Sequence, residues 1–274
     1  MSIELVDVHK AFGPKQVLRG ISFEVGRGET LSLIGFSGAG KSTILKHVVG
    51  LIRPDRGSIR VDDMEVPKLS RVDLYELRRS IGYVFQFAAL FDSMTIADNI
   101  AMGLRKQGKL TEAEIRERVS DSLERVDLAG YEARFPAELS GGQKKRAGLA
   151  RAVAFRPRYL LYDEPTSGLD PVTTTTIDRL IRKMQSDLGT TSLVITHDME
   201  SAFRISDRIA MLYEGQVVEE GTPDQIRESQ NPIVRGFVEG RPELVEQVEQ
   251  KEKKETGNAA AHARPAAPRT GGRE

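Results

Sequence analysis

The chain has 274 residues, 39% hydrophobic and 29% charged, which suits one large α/β domain or two modest ones. Lys plus Arg and Asp plus Glu balance at 40 each, which argues against a nucleic-acid partner held by bulk charge. There is no cysteine, so disulfides and thiolate metal sites are excluded, and no apolar run approaches the ~20 residues that cross a bilayer.

Met1-Ser2-Ile3-Glu4 carries neither the basic nor the apolar region of a signal peptide, so any membrane role is expected to need a partner. Ile3, Leu5 and Val8 open a short strand. Val17, Ile21, Phe23 and Val25 suggest a second, with Gly26-Arg27-Gly28 as a turn. The apolar run from Thr30 to Ile34 then reads as a buried strand. It leads into Gly35-Phe36-Ser37-Gly38-Ala39-Gly40-Lys41-Ser42, a full match to G-x-x-x-x-G-K-[ST], followed by Thr43. Ile44, Leu45, Val48 and Val49 fall on one face of the helix after it, which Gly50 and Pro54 end. A loop joining a strand to a helix N-terminus presents backbone N–H groups and the positive end of the helix dipole to an anion. Glycines let the main chain wrap a phosphate. Lys41 is placed to reach the β- and γ-phosphates, and the Ser42 hydroxyl to join a Mg²⁺ shell. These residues predict a bound nucleoside triphosphate.

Ile81 to Phe85 reads as a further strand. From about 87 to 151 strand signals are missing, and a helical insertion is expected. Within it Ile115, Val119, Leu123 and Val126 recur at helical spacing behind the capping-box start Thr111-Glu112-Ala113-Glu114. Leu139-Ser140-Gly141-Gly142-Gln143 precedes a helix running to Val153, a second anion-binding helix start, with Lys144, Lys145 and Arg146 adding positive charge in its first turn. Tyr159 to Tyr162 is a core strand that ends in Asp163 and Glu164. Asp163 fits Mg²⁺ binding through water beside the phosphate loop, and Glu164 fits a general base that polarises an attacking water. Ser192 to Thr196 is another core strand, followed by His197. Arg208 to Tyr213 and Val217 to Glu220 form a hairpin turning at Glu214-Gly215. Strands alternating with helices predict a mostly parallel sheet flanked by helices. Residues 241–274 become Gln/Lys/Glu-rich and then Ala/Pro/Arg/Gly-rich, and a largely disordered extension is expected there. Two phosphate-binding helix starts in one chain suggest a two-fold dimer in which each protomer closes its partner's nucleotide site.

The order of phosphate loop, Gln86 after an apolar strand, LSGGQ, strand-Asp-Glu and His197 after a strand resembles the ATPase subunit of ABC transporters, from about Ile3 to Gly240. The resemblance implies a P-loop NTPase core with an antiparallel β subdomain and a helical insertion, that is, an ATPase domain over 1–240. It implies ATP and Mg²⁺ as ligands, and Gln86 as the residue that senses Mg²⁺ and the attacking water. By the same resemblance, Ser140, Gly141, Gly142 and Gln143 meet the ATP of the opposite protomer, and Asp170 in Ser167-Gly168-Leu169-Asp170 bridges the two. His197 is the histidine that contacts the γ-phosphate. On position alone, that histidine reads more readily as a structural residue. Phe12 stands where an aromatic stacks on adenine, keeping the π-face of the usual tyrosine. The segment from Phe87 to Ala101, together with the segment Asn231 to Gly240, is most similar to the Mla/Mce-associated ATPases. This implies transport of phospholipid or another hydrophobic molecule, an integral-membrane permease, an Mce-type substrate-binding protein, and a place on the cytoplasmic face of the inner membrane. Phe87, Leu90, Phe91 and Met94 then offer a permease groove, or equally fill the insertion's core. Ala88-Ala89 departs from the usual Gly-Ala step and Met102-Gly103 from Phe-Pro. An amino-acid or ion importer ATPase and a soluble ABC ATPase without a permease remain open readings.

Overall fold

The computed structural model describes residues 2–248 and 250. The chain runs β1 (Ile3–Phe12), β2 (Lys15–Val25), β3 (Thr30–Gly35), α1 (Lys41–Val48), β4 (Arg56–Val61), β5 (Met64–Glu65), α2 (Arg71–Arg79), β6 (Ile81–Val84). It continues through α3 (Ile96–Gln107), α4 (Glu112–Arg125), α5 (Gly141–Val153), β7 (Tyr159–Asp163), α6 (Pro171–Leu188), β8 (Thr191–Ile195) and α7 (Met199–Ile205). β9 (Arg208–Tyr213), β10 (Gln216–Gly221), α8 (Pro223–Arg227) and α9 (Pro232–Val238) close the sequence of elements.

Two sheets organise residues 1–226. One is antiparallel, in the order β2-β1-β4-β5. The other has the order β10-β9-β3-β8-β7-β6 and is parallel except for β10. The central strands are buried on both faces, and their period-two alternation feeds two separate cores. Leu161, Leu193 and Ile195 pack with α1 and the antiparallel sheet, whereas Leu160, Tyr162 and Val194 pack with α3 to α7. The two faces of one sheet thus bind the nucleotide-loop helix on one side and the helical layer on the other.

Between β6 and β7 the described residues hold helices and no strand. β4, β5 and α2 occupy a stretch between Pro54 and Ile81 for which no element was expected. Parallel β-strands expose ligand-binding loops at their carboxyl ends. Here those ends carry the loop after β3, the Asp163-Glu164 pair at β7 and His197 after β8. β7 is not the direct neighbour of β3, because β8 lies between them.

The described residues from Arg227 onward belong to a second compact unit. Its α9 is capped by Asn231, whose Oδ1 accepts from Ile233 N at 3.0 Å. Residues 242–248 are helical with Val245 buried, so ordered chain runs past the expected boundary at 240. The rest of the expected disordered extension lies outside the described residues. Among the described residues no helix is long and apolar enough to cross a membrane.

Candidate active site

Two glycines shape the loop between β3 and α1. Gly35 has φ 145°, and a Cβ there would stand 2.2 Å from Leu212 O on β9. Gly40, the N-cap of α1, has φ 100°, and a Cβ would meet Leu18 Cδ2 at 2.7 Å. Neither position admits an L side chain without strain. The bond Ile44 N to Gly40 O opens the helix, so the N–H groups of Lys41, Ser42 and Thr43 precede its hydrogen-bonded ladder. The first turn of α1 has no acidic residue. An anion is therefore favoured at this end.

Lys41 is buried, and its Nζ donates to Gly35 O at 2.6 Å and Phe36 O at 3.0 Å. Burial pulls its pKa below the ordinary lysine value, while the charges of Glu164 and Asp163 push the other way. Ser42 Oγ donates to Asp163 Oδ1 at 3.0 Å, so the reach across β8 is made by these two side chains. Tyr83 OH on β6 donates to Asp163 Oδ2 at 3.2 Å. Burial first, then the Asp163 charge, raises the Tyr83 hydroxyl above its usual pKa, so it stays a donor.

Glu164 has φ 51°, a left-handed conformation that costs a non-glycine residue about 1–2 kcal/mol. Four bonds hold it there: Glu164 N donates to Ile195 O at 2.9 Å, the buried Lys145 Nζ donates to Glu164 O at 3.2 Å, Ser167 N donates to the same oxygen at 3.3 Å, and Glu164 Oε2 meets His197 Nδ1 at 2.7 Å. Lys145 Nζ also donates to Gln86 O. Gln86 Nε2 in turn donates to Ser167 Oγ at 3.4 Å. Backbone strain held in place by surrounding bonds is common where a side chain must be aimed.

Lys41, Ser42, Gln86, Glu164 and His197 meet at one cavity of about 510 Å³, within the usual range of ligand sites, while Asp163 stands behind Ser42 outside its lining. Ser37, Gly38, Gly40, Lys41, Ser42, Thr43, Gln86, Glu164 and His197 line it, with Val17 of β2 as an unexpected apolar wall. Gly35, Phe36 and Ala39 belong to the loop, and the Phe36 ring meets Tyr213 edge-on, 6.0 Å between centroids. Phe12 is 48% exposed at the end of β1 and is not part of the lining, and Lys10 Nζ lies 5.6 Å from its ring centroid.

Ser140, Gly141, Gly142 and Gln143 do not line this cavity. Ser140 caps α5, its Oγ accepting from Gln143 N while Gln143 Oε1 accepts from Ser140 N at 2.9 Å. Gln143 Nε2 donates to Tyr131 OH at 3.1 Å. Ser140 and Gly141 are exposed. The expected charge of the first turn is corrected in part: Lys145 turns inward to Gln86 and Glu164, and Arg146 donates to Val126 O and Asp127 O. Asp170 caps α6, its Oδ1 accepting from Val172 N and Thr173 N, each at 3.0 Å.

Sequence reasoning missed Tyr83, Lys145, Ser167 and Val17. Each reaches the site through strand order or helix placement, which no local pattern carries.

Known proteins resemble this chain in sequence and fold. The family model described as ABC transporter matches residues 18–167. The "Probable ribonucleotide transport ATP-binding protein mkl" of Mycobacterium leprae is 41% identical over 88% of this chain and 70% of its own length. "Protein TRIGALACTOSYLDIACYLGLYCEROL 3, chloroplastic" of Arabidopsis thaliana is 42% identical over 87% of this chain and 73% of its own. "Methionine import ATP-binding protein MetN" of Rhizobium etli is 44% identical over 90% and 68%. Among solved structures, the dimeric ATP-binding cassette MJ0796 bound to ADP and Pi superposes with a TM-score of 0.74 at 32% identity, covering 81% of this chain and 98% of that one. The structure of cbiO1 from Clostridium perfringens, part of the transporter complex cbiONQ, gives 0.77 at 31% identity, covering 90% and 98%. A phosphate loop, an acidic strand end and a histidine around one cavity, in a chain matched by that model over most of its core, admit one conclusion: the chain belongs to the ABC transporter family and is an ATP-hydrolysing subunit of it.

Proposed function

We propose that this chain powers a transporter that moves phospholipid or another hydrophobic molecule across or between bacterial membranes, working as a homodimer on an integral-membrane permease with an Mce-type partner. The observation that carries the enzymatic part is the single cavity in which Lys41, Ser42, Gln86, Glu164 and His197 meet. In this reading ATP lies along the phosphate loop with its γ-phosphate toward Glu164. Lys41 leaves the loop carbonyls to meet the phosphates. Glu164 takes a proton from the attacking water as the water oxygen bonds to the γ-phosphorus and the bond from that phosphorus to the β–γ bridging oxygen breaks, leaving ADP and phosphate, and His197, hydrogen-bonded to Glu164, faces the γ-phosphate. Phe12 stacks on the adenine. Ser140 to Gln143 of the opposite protomer close the site, and Asp170 stands at the protomer boundary.

Mg²⁺ fits the residues present. No cluster of three His, Asp or Glu side chains among the described residues makes a cage of its own. The Ser42 hydroxyl and the Asp163 carboxylate are a hard-oxygen pair of the kind that holds Mg²⁺ together with phosphate and water. Gln86 would contribute from the other wall. The ion supplies charge neutralisation on the phosphates.

A permease partner is supported by a groove of about 370 Å³ in which Val49, Leu51, Ile81 and Phe85 stand beside Lys46, Arg78, Tyr83 and Asp163, and by Phe87, which is 84% exposed. A subunit docked there sits at the cytoplasmic face of the inner membrane. The hydrophobic cargo is supported by the Phe87 to Ala101 segment and by the relative named for a galactolipid. An amino-acid cargo has support from the methionine importer's likeness. The test is purification of the intact membrane complex and identification of its bound molecule. Co-purified phospholipid, with ATPase activity raised by phospholipid vesicles, is expected. Stimulation by a free amino acid instead would overturn the lipid reading.

A further inference from the structure

Both oxygens of Asp163 have a partner. Oδ1 accepts from Ser42 at 3.0 Å and Oδ2 from Tyr83 OH at 3.2 Å. A carboxylate held at one oxygen still turns about its Cβ–Cγ bond, a soft torsion. Held at both, it keeps one oxygen aimed at Ser42. The tyrosine is itself fixed. Its ring packs on Phe85 with centroids 4.4 Å apart and planes at 35°. β6 pairs with β7 in parallel register, Val84 opposite Tyr162, so Tyr83 and Asp163 rise from adjacent strands of one sheet. Tyr83 does not line the nucleotide cavity; with Asp163 it lines the neighbouring groove, behind Ser42.

We infer that Tyr83 is a positioning residue that orients the Asp163 carboxylate for the metal half of the nucleotide site. The inference rests on the ATP–Mg²⁺ reading above. Partners one layer behind a metal ligand typically change metal affinity by about 10–100-fold when removed. Asp163 is expected to meet Mg²⁺ through water, so the lower end applies.

The experiment uses Tyr83→Phe in the full chain, which keeps the ring on Phe85 and removes only the hydroxyl. Binding of a fluorescent ATP analogue is measured in EDTA and across a Mg²⁺ titration. The expected result is wild-type affinity in EDTA and a Mg²⁺ midpoint raised about ten-fold. An unchanged midpoint overturns the inference and leaves the nucleotide site standing. Lost affinity in EDTA would assign Tyr83 to packing of the pocket and also overturn it. A wild-type chain that binds the analogue identically with and without Mg²⁺ would overturn the metal reading and the inference with it.

Discussion

Glu164 is the residue on which chemistry and backbone meet. Its φ of 51° is held by Ile195, Lys145, Ser167 and His197, and the same bonds aim its carboxylate into the cavity. Glu164→Gln keeps the shape and can still bond His197, but it cannot take up a proton. ATP binding is expected to persist while hydrolysis falls roughly 10²–10⁴-fold, read by single-turnover assay beside a binding titration. A normal rate would end the assignment of Glu164 as base. Lys41→Ala acts on the other quantity. Losing a charge-assisted contact to phosphate is worth about 1.5–3 kcal/mol, so ATP affinity is expected to drop about ten- to a hundred-fold. Calorimetric titration checks this, and unchanged affinity would remove Lys41 from the phosphate site.

At the scale of elements, α5 and α6 touch where Gly142 meets Thr173. A Cβ on Gly142 would stand 2.4 Å from Thr173 Cγ2, and Thr173 is β-branched and tied to Asp170 through its hydroxyl. Gly142→Ala is expected to push the α5 start off α6 and lower ATPase activity. Adding Thr173→Ser, which keeps the hydroxyl and removes the obstructing methyl, is expected to restore it. No recovery in the double variant would sink the steric argument. Helix α1 carries a different liability. His47 is fully buried, with Nδ1 2.7 Å from Thr43 O and Nε2 without a partner. Burial holds its pKa below the ordinary 6.5, against the bond to Thr43. The unfolded chain therefore gains a proton near pH 6.5 that the folded one does not. Stability is expected to fall as pH drops below about 6.5, with a shallower fall in His47→Asn, both read by thermal melts. Equal slopes would show that His47 is not responsible. Much of this architecture is written locally. The phosphate loop, Asp163-Glu164 and Ser140 to Gln143 are read from neighbours along the chain, because glycine, a helix cap and an apolar strand are short-range signals. What stays unread is long-range: β8 standing between β3 and β7, Tyr83 beside Asp163, and Lys145 turning inward. β4 escapes notice because only Ile59 and Val61 among its six residues are apolar, and β5 because it is two residues long.

For the whole molecule the central fact is that one protomer separates its two helix starts. The start of α1 opens on the cavity, while Ser140 and Gly141 at the start of α5 are exposed and outside it. A relative of known structure is dimeric with ADP and phosphate bound. If each α5 start completes the partner's site, damage at one start is repairable by an intact copy. Lys41→Ala weakens ATP binding in a chain's own cavity, and Ser140→Arg removes only what it offers its partner. At an ATP concentration that fills the wild-type site but lies well below the weakened dissociation constant, each variant alone is expected to be nearly inactive. In a mixed dimer, the phosphate loop of the Ser140→Arg chain faces the intact α5 start of the Lys41→Ala chain, so one of the two sites is whole. Random pairing of equal amounts, with independent sites, is expected to return about a quarter of the wild-type rate. A mixture that stays inactive, or a Ser140→Arg chain that hydrolyses ATP normally alone, would show that each protomer's site is complete within its own chain.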